Sequence, residues 1–154
     1  MKVYLMQHAL AVDLEDGSDR VVSQAGEAET VKIAKFAGAH VDFAVDRIYH
    51  SGKTRARRTA ELFAREVGVS AAIEIADGLA PMDDPAIWAK RLSEMRSDVM
   101  LVGHLPHISR LTAVLATGSD VTEIVKVRNS GLICLEKKDA GWRLDWMIVP
   151  DCLR

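Results

Sequence analysis

Two short apolar runs in this chain each end in a histidine, and they constrain both the fold and the place where chemistry can occur. Residues 3–7 lead into His8, and residues 99–103 lead into His104. Runs of this length that are rich in β-branched and large apolar residues are typical of buried strands. In open α/β sheets, ligands bind outside the carboxyl ends of the strands. We therefore expect the two imidazoles to meet at one edge of one sheet.

The composition is that of one ordinary globular domain. The chain has 154 residues, of which 49% are hydrophobic and 27% are charged, so we expect a single domain over 1–154 with a sizeable core. A net charge of −2 argues against a general nucleic-acid or membrane surface. No apolar run approaches the ~18 residues that span a membrane. Cys134 and Cys152 are too few for a disulfide scaffold, which favours reduced thiols in a cytoplasmic protein.

Apolar periodicity and turn residues predict strands that alternate with helices. The predicted strands cover about 2–8, 45–50, 73–75, 99–103, 131–137 and 142–149, and the helices about 24–38, 54–67, 85–95 and 106–116. A polar loop is expected over 13–20. Ser23 is predicted to cap the first helix and Gly38 to end it. The alternation predicts a three-layer α/β/α domain with a mostly parallel central sheet.

The end of the chain predicts a departure from parallel pairing. Asp139-Ala140-Gly141 is a hairpin turn signal between the last two strands, so we expect a C-terminal antiparallel hairpin. Trp142 and Trp146 are separated by an even number of residues, which predicts that they share one strand face and pack into the core.

The second strand leads into a pattern suited to binding an anion. A helix that begins near residue 54 presents backbone N–H groups and the positive end of its dipole at the sheet edge. Arg55, in the first turn, adds a planar fork that matches phosphate. A neutral imidazole can be a nucleophile, a general base or a metal ligand, and phosphoryl transfer needs cationic donors around the phosphorus. His8, His104 and Arg55 are therefore candidates for a phosphoryl-transfer site, while the roles of general base and metal ligand stay open for the imidazoles.

Four short motifs follow one another at predicted strand ends and helix starts. They are Gln7-His8-Ala9, residues 20–26 (R-V-V-S-Q-A-G, close to R-x-L-[ST]-x-x-G), residues 51–59 (S-x-x-x-R-A-x-x-T) and residues 102–106 (V-G-H-L-P, which contains G/S-H-x-P). In this order they resemble the histidine phosphatase superfamily, whose fold is phosphoglycerate mutase-like. The chain is most similar to small SixA-type phosphohistidine phosphatases, and the order of elements agrees along nearly its whole length.

The resemblance implies a role for each of these side chains. His8 would be the nucleophile that takes the phosphoryl group, and Arg55 would bind the phosphate. His104 would donate a hydrogen bond to the transferring group, and Arg20 would add a further contact. The resemblance implies a phosphatase without a metal or cofactor, acting on a phosphohistidine protein or a small phosphorylated molecule. Its oligomeric state is left open.

One motif departs from the superfamily pattern, which reads Arg-His-Gly where this chain has Gln7-His8-Ala9. Gln7 occupies a phosphate-binding position and keeps amide donors, but it lacks the charge and the fork of arginine. We expect a weakened pocket, and the alternative is a phosphate- or phosphoprotein-binding module on the same fold. Alanine for glycine is a milder change unless position 9 requires a positive φ.

Two further questions stay open at the level of sequence. Larger members of the superfamily use a carboxylic acid to protonate the leaving group, and Asp83 and Asp84 are the candidates here, although a helix-start loop would also explain them. A site in which His8, His104 and His107 bind a metal ion is a further alternative.

Overall fold

The structure is a computed structural model that describes residues 1–139 and 141–153. The strands are β1 (Lys2–Gln7), β2 (Ala11–Asp13), β3 (Arg20–Val22), β4 (Arg47–His50), β5 (Ala72–Ile75), β6 (Val99–Gly103), β7 (Leu132–Lys138) and β8 (Gly141–Ile148). The helices are α1 (Gln24–His40), α2 (Thr54–Val67), α3 (Pro85–Glu94) and α4 (His107–Thr117), followed by a short 3-10 helix, Pro150–Cys152. All ten predicted strands and helices are present, and their bounds either match the prediction or shift by a few residues.

Six of the strands form one sheet in the order β5-β4-β6-β1-β7-β8. The first four are parallel to one another, whereas β7 pairs antiparallel with β1 and β8 pairs antiparallel with β7. This arrangement confirms the predicted sheet, mostly parallel with an antiparallel pair at the C-terminal end. Of the predicted turn residues between β7 and β8, Ala140 lies outside the described residues.

The central strands are buried on both faces, which explains their continuous apolar sequences. On β1, Tyr4 and Met6 pack into the cluster under α1 and α2, while Val3 and Leu5 pack into the cluster under α3 and α4. All four side chains are fully buried. Because successive side chains point to opposite faces of a strand, one short run supports both helical layers.

Helix α1 confirms its predicted start and corrects its predicted end. Ser23 Oγ accepts a hydrogen bond from the Gly26 amide at 3.0 Å and caps the helix. The prediction that Gly38 ends the helix is wrong, since α1 continues to His40 and Val41 is its C-cap. Gly38 does not adopt the positive φ of a C-terminal glycine. It lies against α2 instead, where an added Cβ would be 3.4 Å from the Val67 carbonyl oxygen.

The predicted polar loop is flanked by two strands that the sequence pattern does not reveal. Strands β2 and β3 pair antiparallel, with Val12 opposite Val21. Each strand has three residues, which is too few for a period-two pattern to stand out.

The two tryptophans of β8 lie on opposite faces of the sheet, so the prediction that they share a face is wrong. Cys134 pairs with Trp146 and Leu135 pairs with Leu144, which leaves Asp145 as an extra residue in a β-bulge. A bulge breaks the alternation of side chains. Trp146 therefore packs on the α1–α2 side and Trp142 on the α3–α4 side.

Two other predictions can be compared with the structure directly. Cys134 is buried, Cys152 is exposed, and both are free thiols within the described part of the chain.

Among the helices of residues 1–139 and 141–153, none combines the length and the apolar character needed to cross a membrane.

We expect Gly26→Ala to destabilise the protein by about 1–3 kcal/mol, the usual cost of overpacking. An added Cβ would lie against the carbonyl oxygen of Leu10 and 2.9 Å from its amide nitrogen, so backbone must move. The measurement is the free energy of unfolding in urea. Gly38→Ala in the same helix is the matched control, and it should be neutral or stabilising because alanine is the better helix former. Equal effects at both positions would contradict the role given to Gly26.

Candidate active site

The parallel pairing of β1 with β6 brings the two predicted histidines together. Gln7 lies opposite Gly103 in the register, so His8 and His104 leave the sheet at the same level. The His8 amide also donates to the Gly103 carbonyl at 2.9 Å. The two ring centroids are 5.0 Å apart. Both side chains are buried at the carboxyl edge of the sheet.

The hydrogen bonds of His8 establish where its proton and its lone pair lie. Nδ1 is 2.7 Å from the carbonyl oxygen of Ala9, and a carbonyl can only accept, so Nδ1 carries the proton. Nε2 accepts a hydrogen bond from Arg55 Nε at 3.2 Å. Burial is the main factor that lowers the pKa of His8, and the charges of Arg55 and Arg20 lower it further, against the effect of the Ala9 bond. His8 therefore presents an unprotonated Nε2.

His104 is held by the residue that follows β4. Its Nε2 lies 2.5 Å from Ser51 Oγ, while Nδ1 is buried without a hydrogen-bond partner among the described residues. Burial, followed by the neighbouring His8 and the charge of Arg55, lowers the pKa of His104 to about 3. The ring is therefore neutral at ordinary pH and carries a single proton.

Thr59 ties the helix that carries Arg55 to the loop that carries His8. Its hydroxyl donates to the Arg55 carbonyl oxygen at 2.7 Å, one helical turn earlier. The Thr59 hydroxyl oxygen, Oγ1, in turn accepts a hydrogen bond from the Ala9 amide at 2.9 Å. Thr59 is fully buried, so both bonds are shielded from water. The spacing of four residues between Arg55 and Thr59 has this physical basis.

A cleft of about 270 Å³ opens above these side chains. It is lined by Gln7, His8, Leu10, Ala11, Arg20, Arg55, Pro81, His104, Leu105 and Asn129. All five residues predicted to handle a phosphoryl group thus border one space. Arg20 lies at the exposed rim, where Nε forms an ion pair with Asp13 at 3.1 Å and Nη2 donates to the Ala11 carbonyl at 3.1 Å.

The two residues that depart from the superfamily motif differ in their consequences. Gln7 is 8% exposed, and its Oε1 has no hydrogen-bond partner within the described residues. Its buried amide adds no charge to the cleft. Ala9 is fully buried without a positive φ, so this position accepts an alanine without backbone strain.

Asp84 caps α3, and Asp83 holds the turn that precedes it. Asp83 Oδ2 accepts from the Ala80 amide at 2.8 Å, and Asp84 Oδ1 caps the helix by accepting from the Ala86 amide at 2.9 Å. In the described structure neither residue is among those that line the cleft, to which this segment contributes Pro81.

Three contributions to the site are not predicted by the sequence pattern. Asn129 borders the cleft and its Nδ2 donates to the His8 carbonyl oxygen at 2.8 Å. The adjacent Ser130 amide donates to the Gln7 carbonyl at 3.1 Å, with Ser130 at a φ of 57°. These residues lie in an irregular segment, so no periodic pattern marks them. Ser51 stands inside a recognised motif, but only the structure shows its contact with His104.

His107 is buried in the first turn of α4, and neither of its ring nitrogens has a hydrogen-bond partner in the described residues. Burial is the main cause that lowers the pKa of His107 to about 4. Within residues 1–139 and 141–153, no three or more His, Cys, Asp or Glu side chains are grouped so that they could hold a metal ion. His8, His104 and His107 therefore do not form such a group in the described structure.

Comparison with known proteins identifies the fold that carries this site. No protein-family model matches the chain, and no curated protein matches it. Among solved structures, the protein histidine phosphatase SixA complexed with tungstate is 22% identical, with a TM-score of 0.88 and full coverage of both chains. A candidate phosphohistidine phosphatase SixA from Agrobacterium tumefaciens is 27% identical, with a TM-score of 0.80 over 97% of each chain. The fold is that of the histidine phosphatase superfamily.

The neighbours within this superfamily differ in substrate. The alpha-ribazole phosphatase from Shigella flexneri is 14% identical, with a TM-score of 0.76 over 94% of each chain. The SixA proteins and this enzyme are all described as phosphatases, but they take unlike phosphorylated compounds. The likeness therefore supports the fold and phosphate hydrolysis in general, and it leaves the substrate to be argued from the site.

Histidine burial makes the stability of the protein depend on pH. The pKa of His107 is lowered in the folded state, so unfolding takes up a proton at this residue between the two pKa values. The stability that its neutral form contributes is therefore complete above the ordinary pKa of 6.5 and is lost as pH falls toward about 4. We expect His107→Met to reduce the slope of stability against pH in that window by about 1.4 kcal/mol per pH unit, the amount for one proton. Urea unfolding at several pH values measures the slope. An unchanged slope would show that His107 takes up no proton on unfolding.

Proposed function

We propose that this protein is a phosphatase that hydrolyses phosphohistidine, or a small labile phosphate, through a phosphohistidine intermediate on His8. The observation that carries the proposal is the geometry of His8, whose Nδ1 is engaged by the Ala9 carbonyl while Nε2 keeps its lone pair beside Arg55. The phosphatase descriptions of the structural neighbours support the same class of reaction.

In the first step, His8 Nε2 attacks phosphorus as the bond between phosphorus and the leaving group breaks. Arg55, which donates to Nε2 in the free protein, would turn its N–H groups to the equatorial phosphoryl oxygens. His104 and the amide of Gln7 would add neutral donors, and Arg20 would close the site from the rim. Because this chemistry depends mainly on positioning and charge stabilisation, a rigid cluster of donors is what it requires.

In the second step, water attacks phosphorus, the bond between phosphorus and Nε2 breaks, and inorganic phosphate leaves. His8 regains its lone pair and keeps the proton on Nδ1. The lowered pKa of His8 keeps Nε2 unprotonated at neutral pH, so both steps begin from the reactive form.

The leaving group argues for a labile substrate. Asp83 and Asp84 both accept hydrogen bonds from backbone amides, and they lie outside the set of residues that line the cleft. An imidazole is a far less basic leaving group than an alkoxide, so a phosphohistidine substrate needs little help from an acid. A labile N–P bond therefore suits this site better than an ordinary phosphate ester does.

Trapping the intermediate tests the proposal directly. After brief exposure to acetyl phosphate or phosphoramidate and an alkaline quench, we expect mass spectrometry to find one acid-labile phosphoryl group on His8. His8→Ala should abolish both the label and phosphate release. His40→Ala, at the exposed end of α1, is the control and should keep both.

The other outcomes are equally specific. Phosphate binding without a phosphoenzyme would identify a binding module on this fold. Turnover that survives His8→Ala would overturn the assignment of the nucleophile. Activity that a chelator abolishes would point to the metal-dependent alternative.

Gln7, which precedes the proposed nucleophile His8, should limit the rate of hydrolysis. A hydrogen bond to a charged group contributes ~1.5–3 kcal/mol against ~1 kcal/mol for a neutral one. We therefore expect Gln7→Arg to raise kcat about tenfold with a small-molecule donor, if the gain falls on the transition state. Gln7→Met, which has similar volume and no donor, should lower kcat. Equal rates in all three proteins would show that position 7 makes no contact with the transferring group.

A further inference from the structure

The sheet places Ser51 and His8 on opposite sides of His104. Strand β6 lies between β4 and β1, and each of the three residues follows the carboxyl end of its own strand. Ser51 Oγ contacts His104 Nε2 at 2.5 Å from the β4 side. Nε2 is thus engaged by Ser51, and Nδ1 is the ring nitrogen that has no hydrogen-bond partner among the described residues.

A neutral imidazole has one N–H, and its position depends on what the other nitrogen contacts. If Nε2 carried the proton, it would donate to Ser51, and the buried Nδ1 would keep a lone pair without any donor in the described residues. That lone pair would repel the anionic oxygens of a phosphoryl group. If Nδ1 carries the proton, the same ring offers an N–H to those oxygens, and Nε2 accepts from the serine.

The surroundings of Ser51 favour the second arrangement. The Lys53 amide points its N–H at Ser51 Oγ over 3.5 Å, so this oxygen already faces one donor. The hydroxyl proton of Ser51 has His104 Nε2 as its hydrogen-bond acceptor at 2.5 Å. If His104 donated instead, the serine oxygen would accept twice and its own proton would have no acceptor among the described residues, so donation to His104 is the arrangement that gives this proton a partner.

We propose that Ser51 is a positioning residue, which donates its hydroxyl proton to His104 Nε2 and thereby holds the ring proton on Nδ1 for the phosphoryl group. The inference deepens the proposed function, because the orientation of His104 matters for catalysis only if this cleft transfers a phosphoryl group. It adds a residue whose hydroxyl acts through His104 and need not touch the substrate. It also gives a physical reason for a serine at the first position of the motif over 51–59.

Nitrogen NMR of the histidine side chains reads the tautomer without any turnover. In ¹⁵N-labelled protein, long-range ¹H–¹⁵N spectra distinguish a protonated ring nitrogen from one that bears a lone pair, and the signals lost in His104→Gln assign the ring. We expect the wild type to show a protonated Nδ1 and an unprotonated Nε2. Ser51→Ala should move population to the Nε2–H form, whereas Ser51→Thr, which keeps the hydroxyl, should retain the wild-type pattern.

Kinetics supply the second readout. We expect Ser51→Ala to lower kcat about tenfold or more with a smaller change in KM, as for other groups that hold an imidazole in one tautomer. Ser51→Thr should restore most of kcat. A purely structural role would lower the folded fraction and leave the tautomer of the folded molecules unchanged.

The two proposals fail in distinguishable ways. A wild-type His104 protonated on Nε2, or a tautomer unaffected by Ser51→Ala, overturns the role of Ser51 whatever the enzyme does. Absence of a phosphoryl group on His8 overturns the proposed function, even where the NMR shows the expected tautomer.

Discussion

The parallel pairing of β1 with β6 is the constraint on which the candidate site depends. It sets Gln7 opposite Gly103 and so brings the next residue of each strand, His8 and His104, to the same level. The bond from the His8 amide to the Gly103 carbonyl extends the pairing one residue beyond β1. A slip of one residue would exchange the side chains that fill the two clusters on either face of β1, so core packing also fixes the level at which the histidines leave the sheet.

The electrostatics of the cleft follow from the same burial. Desolvation lowers the pKa of both histidines, and the charge of Arg55 adds to the effect. The rings are therefore neutral beside the guanidinium of Arg55, which is the state that the proposed nucleophile, His8, needs. Gln7 adds no charge where the superfamily motif has arginine. The cationic side chains that line the cleft are Arg55 within it and Arg20 at its rim.

Much of the fold could be predicted from periodicity and turn residues, because these act over short distances. The bounds of α2 and β6 match the predicted 54–67 and 99–103, and Ser23 caps α1 as expected. The failures have particular physical causes. Gly38 packs α1 against α2 instead of ending the helix, and a bulge at Asp145 places Trp142 and Trp146 on opposite faces. Both depend on contacts between elements, which local sequence does not encode.

The sequence by itself determined which residues could carry the chemistry, since strand ends and helix starts carry local signals and the motifs keep their spacing. It gave no role to Asn129 and did not show that Ser51 contacts His104. It left Asp83 and Asp84 open between a general acid and a helix-start loop. Only the tertiary structure decided these points, because each depends on a hydrogen bond whose partners come from separate elements or whose geometry depends on how a loop folds. The sheet order supplies that information, as it sets Ser51, His104 and His8 side by side.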